Sequence, residues 1–265
     1  MGLLSRITAL FSSLSNTQYP WPALDIVLPG DRHLHLVGSI HMGTRDMAPL
    51  SSKLIDKLNN SDALIVEADI SEGGSPFPSN PDELPLEERL SADNWAQIMS
   101  LIQELGIPLS QIDNQPAWQI ALVLQAYQAQ RLGLRADFGI DFQLLEAAKV
   151  QAVPIIELEG AEHQVDILTR LPDGGMPLLT DTLTHWHTNA RLLQTMISWW
   201  LESPPQSGKV GKCSFPIHLA MSYTMFLCIN VTFSGCISCS NFQPDATLWQ
   251  SEHCIFTVRE ICQGF

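Results

Sequence analysis

A chain of 265 residues can fold as one large domain or two small ones, and either can bury a real core. Its formal charge of -14 excludes a surface built to neutralise nucleic-acid phosphates, and equally one that adheres to an anionic membrane. The acidic excess favours solubility and names no partner.

The first twenty residues are not a secretory signal, because Arg6 is their only basic residue and no continuous apolar run follows it. Leu3, Leu4, Ile7, Leu10, Phe11 and Leu14 recur at helical spacing, which predicts an amphipathic helix packed on the domain over 1–20. No stretch reaches the roughly 18 apolar residues needed to span a bilayer. The expected location is therefore cytoplasmic.

Arg32 to Ile40 alternates as a strand does, with His33, His35 and Val37 on one face. Gly38 and Gly43 bracket a turn that carries His41. Pro49 to Asn60 reads as a helix, with Pro49 in its first turn and Leu50, Leu54 and Leu58 as its apolar stripe. Ala63 to Val66 is a short buried strand that runs into Glu67. Strand, helix and strand with short links form a βαβ unit with parallel strands. Ser71 to Pro85 is a Pro-, Ser- and Gly-rich loop. Helices follow over Ser91–Leu105, Pro116–Leu132 and Asp141–Val150, then a strand over Val153–Leu158, then helices over Glu162–Leu171 and Thr180–Leu201. The fold class is α/β: a central, partly parallel sheet flanked by helices, with an inserted helical layer between Leu86 and Leu134.

In a parallel sheet, ligands bind beyond the carboxyl ends of the strands. His41 and Glu67 both fall there. A neutral imidazole and a carboxylate can bind a divalent cation or act as an acid–base pair. The competing reading of His41 is a hydrogen-bonded histidine in a capped turn. Glu157 and Glu159 end the third strand and face the same edge, unless they simply cap or meet solvent. Asp141 opens a helix, either as its N-cap or as the carboxylate that orients a ligand histidine. His185 and His187 are two apart in a helical stretch and cannot share a face, so they are structural or surface residues. Trp199 and Trp200 read as packing, and His33 and His35 as ordinary sheet residues.

The ordered set His35-Leu36-Val37-Gly38-Ser39-Ile40-His41-Met42-Gly43, Leu64-Ile65-Val66-Glu67, Gly139-Ile140-Asp141 and Ile155-Ile156-Glu157-Leu158-Glu159-Gly160 resembles the TraB/GumN family, above all its short cytoplasmic enterobacterial-type members. The likeness spans about residues 21–205. It implies a fold related to the erythromycin-esterase and ChaN-like proteins. It also implies metal-dependent hydrolysis, as in the Tiki metalloproteases, or the action of the plasmid pheromone-shutdown proteins. The family hallmark is two Gly-x-x-His motifs and a glutamate after the second strand. Carried over, His41 belongs to the first motif and Glu67 is the glutamate, with Asp141 and Glu159 on intermediate motifs. The implied metal set is His41, Glu67 and Glu159 with Mn or Zn, and the implied catalytic carboxylates are Glu67 and Asp141. The implied partner is a peptide or small-molecule substrate. The alternative is a non-enzymatic module that sequesters a peptide or pheromone, or regulates, and needs no stoichiometric ion. A purely structural protein would tolerate substitution of His41 or Glu67.

The second Gly-x-x-His motif, expected near the C-terminus, is absent, as is the Arg-Asn pair before it. Its place is taken by a segment of different composition. All six cysteines (Cys213, Cys228, Cys236, Cys239, Cys254 and Cys262) lie there, and Arg259 is its only Lys or Arg after Lys212. Shifted by one nucleotide, with permitted codon choices, Met221 to Thr232 can spell Glu-Leu-Tyr-Asp-Val-Leu-Met-His-Gln-Arg-Asn. Gln250 to Gln263 can then spell Val-Gly-Ala-Leu-His-Leu-Tyr-Gly-Glu-Gly-Asn-Leu-Pro. The two strings restore both missing features in one frame, so a frameshift near Val210–Cys213 is expected. This divides the chain into the helix over 1–20, an α/β domain over 21–210 and a frame-shifted tail over 211–265. A site without its second motif should bind its metal weakly or not at all. Cys236, Cys239 and Cys254 then need no zinc-ribbon explanation, and apolar tail segments such as Met225 to Val231 should be exposed or poorly packed.

Overall fold

The computed structural model describes residues 19–28, 32–69, 71, 83–158, 160–202 and the backbone of 229–234. The expected helix over 1–20 lies almost wholly outside these residues. So do Glu159, most of the loop from Ser71 to Pro85 and most of the tail.

Among the described residues five strands form one sheet: β1 (Ala23–Leu28), β2 (Arg32–Gly38), β3 (Ala63–Val66), β4 (Ile155–Glu157) and β5 (Ile229–Ser234), in the order β1-β2-β5-β3-β4. β1 and β2 are an antiparallel pair, in register from Ala23↔Val37 to Leu28↔Arg32. β1 is an apolar run broken only by Asp25, without the strict alternation that made β2 legible. β5 is antiparallel to both β2 and β3, and β3 is parallel to β4. β2, β3 and β4 therefore point the same way, and their carboxyl ends meet at one edge. The expected parallel relation of β2 and β3 holds in direction, but β5 separates them. The tail, expected to be poorly packed, thus supplies the central strand: a strand needs backbone partners on its edges, and 229–234 provides them for both halves.

Helix α1 (Ser52–Asn59) starts later than the proline pattern implied. Ser51 is its N-cap, accepting from the Leu54 amide at 3.3 Å, and Pro49 stays outside. The inserted layer consists of α2 (Leu86–Arg89), α3 (Ala92–Leu105) and α4 (Ala117–Arg131). α3 runs from a Ser91 cap to Gly106, whose φ of 71° accepts the left-handed turn that ends it. Helices α5 (Ile140–Gln151) and α6 (Ala161–Thr169) flank β4. The last helical stretch is two helices, α7 (Met176–Thr184) and α8 (Trp186–Leu201), because His185 leaves helical geometry between them.

The described residues form two apolar clusters. Val37, Leu64 and Val66 of the sheet pack with Leu54 and Leu58 of α1, Leu144 and Leu145 of α5 and Leu193 of α8. Leu86, Ile98, Ile102, Ile120, Leu124, Leu179 and Leu183 form a separate core for the inserted layer and α7. α4 joins them, since its Ala129 belongs to the first cluster and its Ile120 and Leu124 to the second. Among the described residues no helix is long and apolar enough to cross a membrane.

Candidate functional site

The chain leaving β2 carries His41 into a tight connection with the start of α5. Gly43 and Arg135 exchange backbone hydrogen bonds of 3.0 and 2.9 Å, and the Ile140 amide donates to the Ile40 carbonyl at 3.0 Å. Two glycines make this approach possible. A Cβ on Gly43 would overlap the Phe138 carbonyl, and one on Gly139 would overlap that of His41. The sequence pattern ascribes Gly43 to a turn; its role is backbone-to-backbone contact with a segment almost a hundred residues away.

This clamp sets Asp141 against His41. Asp141 is 3 % exposed, and its Oδ2 meets His41 Nδ1. The expected alternative of an Asp141 N-cap is overturned: Gly139 takes the cap position, and Asp141, in the first turn, turns its carboxylate to the imidazole instead. Asp141 Oδ1 is buried and has no hydrogen-bond partner among the described residues. The His41 side chain keeps 24 % exposure, so one side of the ring reaches the surface. Burial opposes charge on His41. The carboxylate of Asp141, and after it that of Glu67, outweigh this and hold the imidazole pKa above its ordinary value.

Glu67 follows β3 directly. Its carbonyl accepts from the Gly160 amide at 3.0 Å, and the Val66 carbonyl accepts from Leu158 at 2.9 Å, tying the ends of β3 and β4 together. The structure therefore gathers three of the sequence-derived residues, His41, Glu67 and Asp141, at one sheet edge. Glu159 lies outside the described residues. Glu157 serves the architecture of this edge, since its Oε1 accepts from the Asp69 amide at 2.6 Å. Sequence reasoning missed Asp69 and Lys149, whose 3.2 Å ion pair braces the chain two residues beyond Glu67. Their separation of eighty residues left no local signal. His185 sits 3.6 Å from Asp181 on the preceding turn, in keeping with a structural histidine. Among the described residues no three His, Cys, Asp or Glu side chains converge closely enough to hold a metal ion.

The α/β fold thus sets an imidazole against a buried carboxylate, with a second carboxylate nearby, at the edge where its parallel strands end. The chain belongs to the TraB/PrgY/gumN family, which it matches over residues 25–211. It is 58 % identical over 210 residues to the uncharacterized protein YbaP of Escherichia coli (strain K12), covering 79 % of this chain and 80 % of that one. The uncharacterized protein YbaP of Shigella flexneri matches equally, at 58 % over 210 residues. No solved structure matches.

Proposed function

We propose that the edge formed by His41, Glu67 and Asp141 is the surviving half of a metal-assisted hydrolytic site that acts on peptide or amide bonds. The carrying observation is the contact between Asp141 and His41 Nδ1. A carboxylate on one ring nitrogen fixes the tautomer and directs the other nitrogen to a cation, the arrangement that metal-ligating histidines need. An imidazole and a carboxylate are donors that Mn and Zn accept: His41 through Nε2 and Glu67 through its carboxylate would hold the ion, and the third donor, which the described residues do not supply, is proposed to be Glu159. Bound there, a divalent ion would polarise a carbonyl and make water a nucleophile near neutral pH. Asp141 orients the imidazole, and Glu67 serves as ligand or as the base that takes the water's proton.

Catalytic zinc takes three protein ligands and an open position. In this reading the second Gly-x-x-His motif supplied the missing histidine, and the tail beyond residue 211 does not. The family match ends at 211 and the cysteines begin at Cys213. The frameshift proposal rests on that coincidence and on the codon reading. The 265-residue chain is then expected to bind Mn or Zn weakly and to hydrolyse nothing.

The test compares this chain with one whose tail frame is restored, each with and without His41→Ala. Metal content and peptide hydrolysis are the readouts. One tightly held ion in the restored chain, lost with His41→Ala, is the expected result. A restored chain that holds no ion overturns the metal reading and favours peptide sequestration. Metal-dependent hydrolysis by the present chain overturns the claim that it is silent.

A further inference from the structure

β2 carries a second buried histidine against a carboxylate. His35 is 5 % exposed and stands opposite Asp25 of β1 in the strand register. Its Nδ1 lies 2.6 Å from Asp25 Oδ1. On the other side of the ring, the Trp21 indole N–H donates to His35 Nε2 at 3.4 Å.

Among the described residues, these two partners favour one protonation state. An indole N–H only donates, so Nε2 must present a lone pair, and an ionised carboxylate only accepts, so Nδ1 must carry the proton. The two contacts fit a neutral ring in its Nδ1–H form. A second proton on Nε2 would set N–H against N–H and leave the Trp21 donor without its acceptor, which is costly for a tryptophan only 3 % exposed.

Among the described residues, the charged and titratable groups around the ring are Asp25, Tyr19, Lys57 and His33. Asp25 lies across from it on β1, and Tyr19, from the chain entering β1, donates its hydroxyl to Asp25. Lys57 of α1 reaches Asp25 Oδ1 at 3.5 Å and lies 4.9 Å from the centre of the Tyr19 ring. His33 flanks the ring two residues away on β2. Burial and the Lys57 ammonium oppose a charge on His35 more than Asp25 favours it, so its pKa lies below the ordinary imidazole value. Asp25 is itself buried enough to resist ionisation, but Tyr19, His35 and Lys57 outweigh this and hold its pKa low.

We propose that Tyr19, Trp21, Asp25, His35 and Lys57 form an acid-operated latch, in which the neutral His35 ring holds β1 and the chain entering it against β2 and α1, and protonation of that ring releases them. β1 is an edge strand whose partner is β2, so release uncovers a row of β2 amides and carbonyls able to pair with another strand.

Hydrogen–deuterium exchange of the full chain tests the latch, corrected for the intrinsic pH dependence and run from about pH 7.5 down to about pH 4.8. Peptides covering residues 19–28 should lose at least about tenfold protection on acidification, while α4 keeps its own. His35→Gln, which accepts and donates without titrating, should abolish the response. Lys57→Met removes a charge that opposes protonation and should move the midpoint to higher pH. Flat protection of residues 19–28 in the wild type, an unchanged response in His35→Gln, or parallel loss in α4 overturns the proposal. Should His35→Gln fail to fold, the imidazole nitrogen spectrum of the wild type decides. An Nδ1–H ring at pH 7.5 supports the latch, and an Nε2–H ring or an imidazolium ends it.

Discussion

The chain pairs a histidine with an aspartate twice within a few residues of β2, and the two pairs behave in opposite ways. His41 with Asp141 has its pKa raised, and His35 with Asp25 has its pKa lowered. Burial opposes the charge in both. The difference lies in the neighbours: Glu67 adds negative potential beside His41, whereas Lys57 adds positive potential beside His35, and Trp21 offers it a donor that a charged ring cannot accept. A carboxylate at hydrogen-bond distance does not by itself make a histidine cationic; the third group decides.

The His41–Asp141 pair is most vulnerable at its glycine scaffold. Gly43→Ala forces a methyl group into the Phe138 carbonyl and should separate the His41 loop from α5, at a cost of about 3 kcal/mol or more in urea unfolding. His41 should then titrate as an ordinary histidine, while His35 is untouched. Asp141→Asn keeps the shape and removes the charge. It should lower the His41 pKa, followed by proton NMR, and cost about 1–2 kcal/mol, because a charge-assisted hydrogen bond becomes a neutral one.

pH separates the pairs without mutation. The raised pKa of His41 contributes stability that is fully present below its unfolded value of 6.5 and is lost as pH rises through its folded value. The lowered pKa of His35 contributes stability present above 6.5 and lost as pH falls through its folded value. Stability falls with acid below 6.5 and with base above it, so the contribution of these two histidines to the wild-type denaturation midpoint should peak near 6.5. His35→Gln should stay stable further into acid, and His41→Gln further into base. The smallest effect is expected from Lys57→Met. It should bring the His35 pKa towards that of His41 and change stability by only about 0.5–1 kcal/mol, since the ion pair is partly solvated.

The same contrast holds between parts of the chain. Over residues matched to the family, periodicity identifies β2, β3, α3, α4 and α5 to within a few residues, because each carries its own apolar pattern and, for α3, its own cap and glycine stop. β1 escapes because a short apolar run has no distinctive period. The break at His185 escapes because nothing in Thr180–Leu201 is a proline or glycine. The central strand β5 escapes because its segment reads as displaced sequence. Its partners on β2 and β3 lie far away in the chain, so strand pairing has no local mark.

Sequence alone determined the α/β class and the position of His41 and Glu67 at strand ends. Those features follow from periods of two and 3.6 residues and from the limited conformations of glycine and proline, which are local. Tertiary structure decided that Asp141 faces His41 rather than capping its helix, that His35 is buried between Asp25 and Trp21, and that residues 229–234 join the two halves of the sheet. Each depends on which distant backbone or charge arrives beside a side chain, and contact between residues a hundred positions apart leaves no trace in the spacing of neighbours.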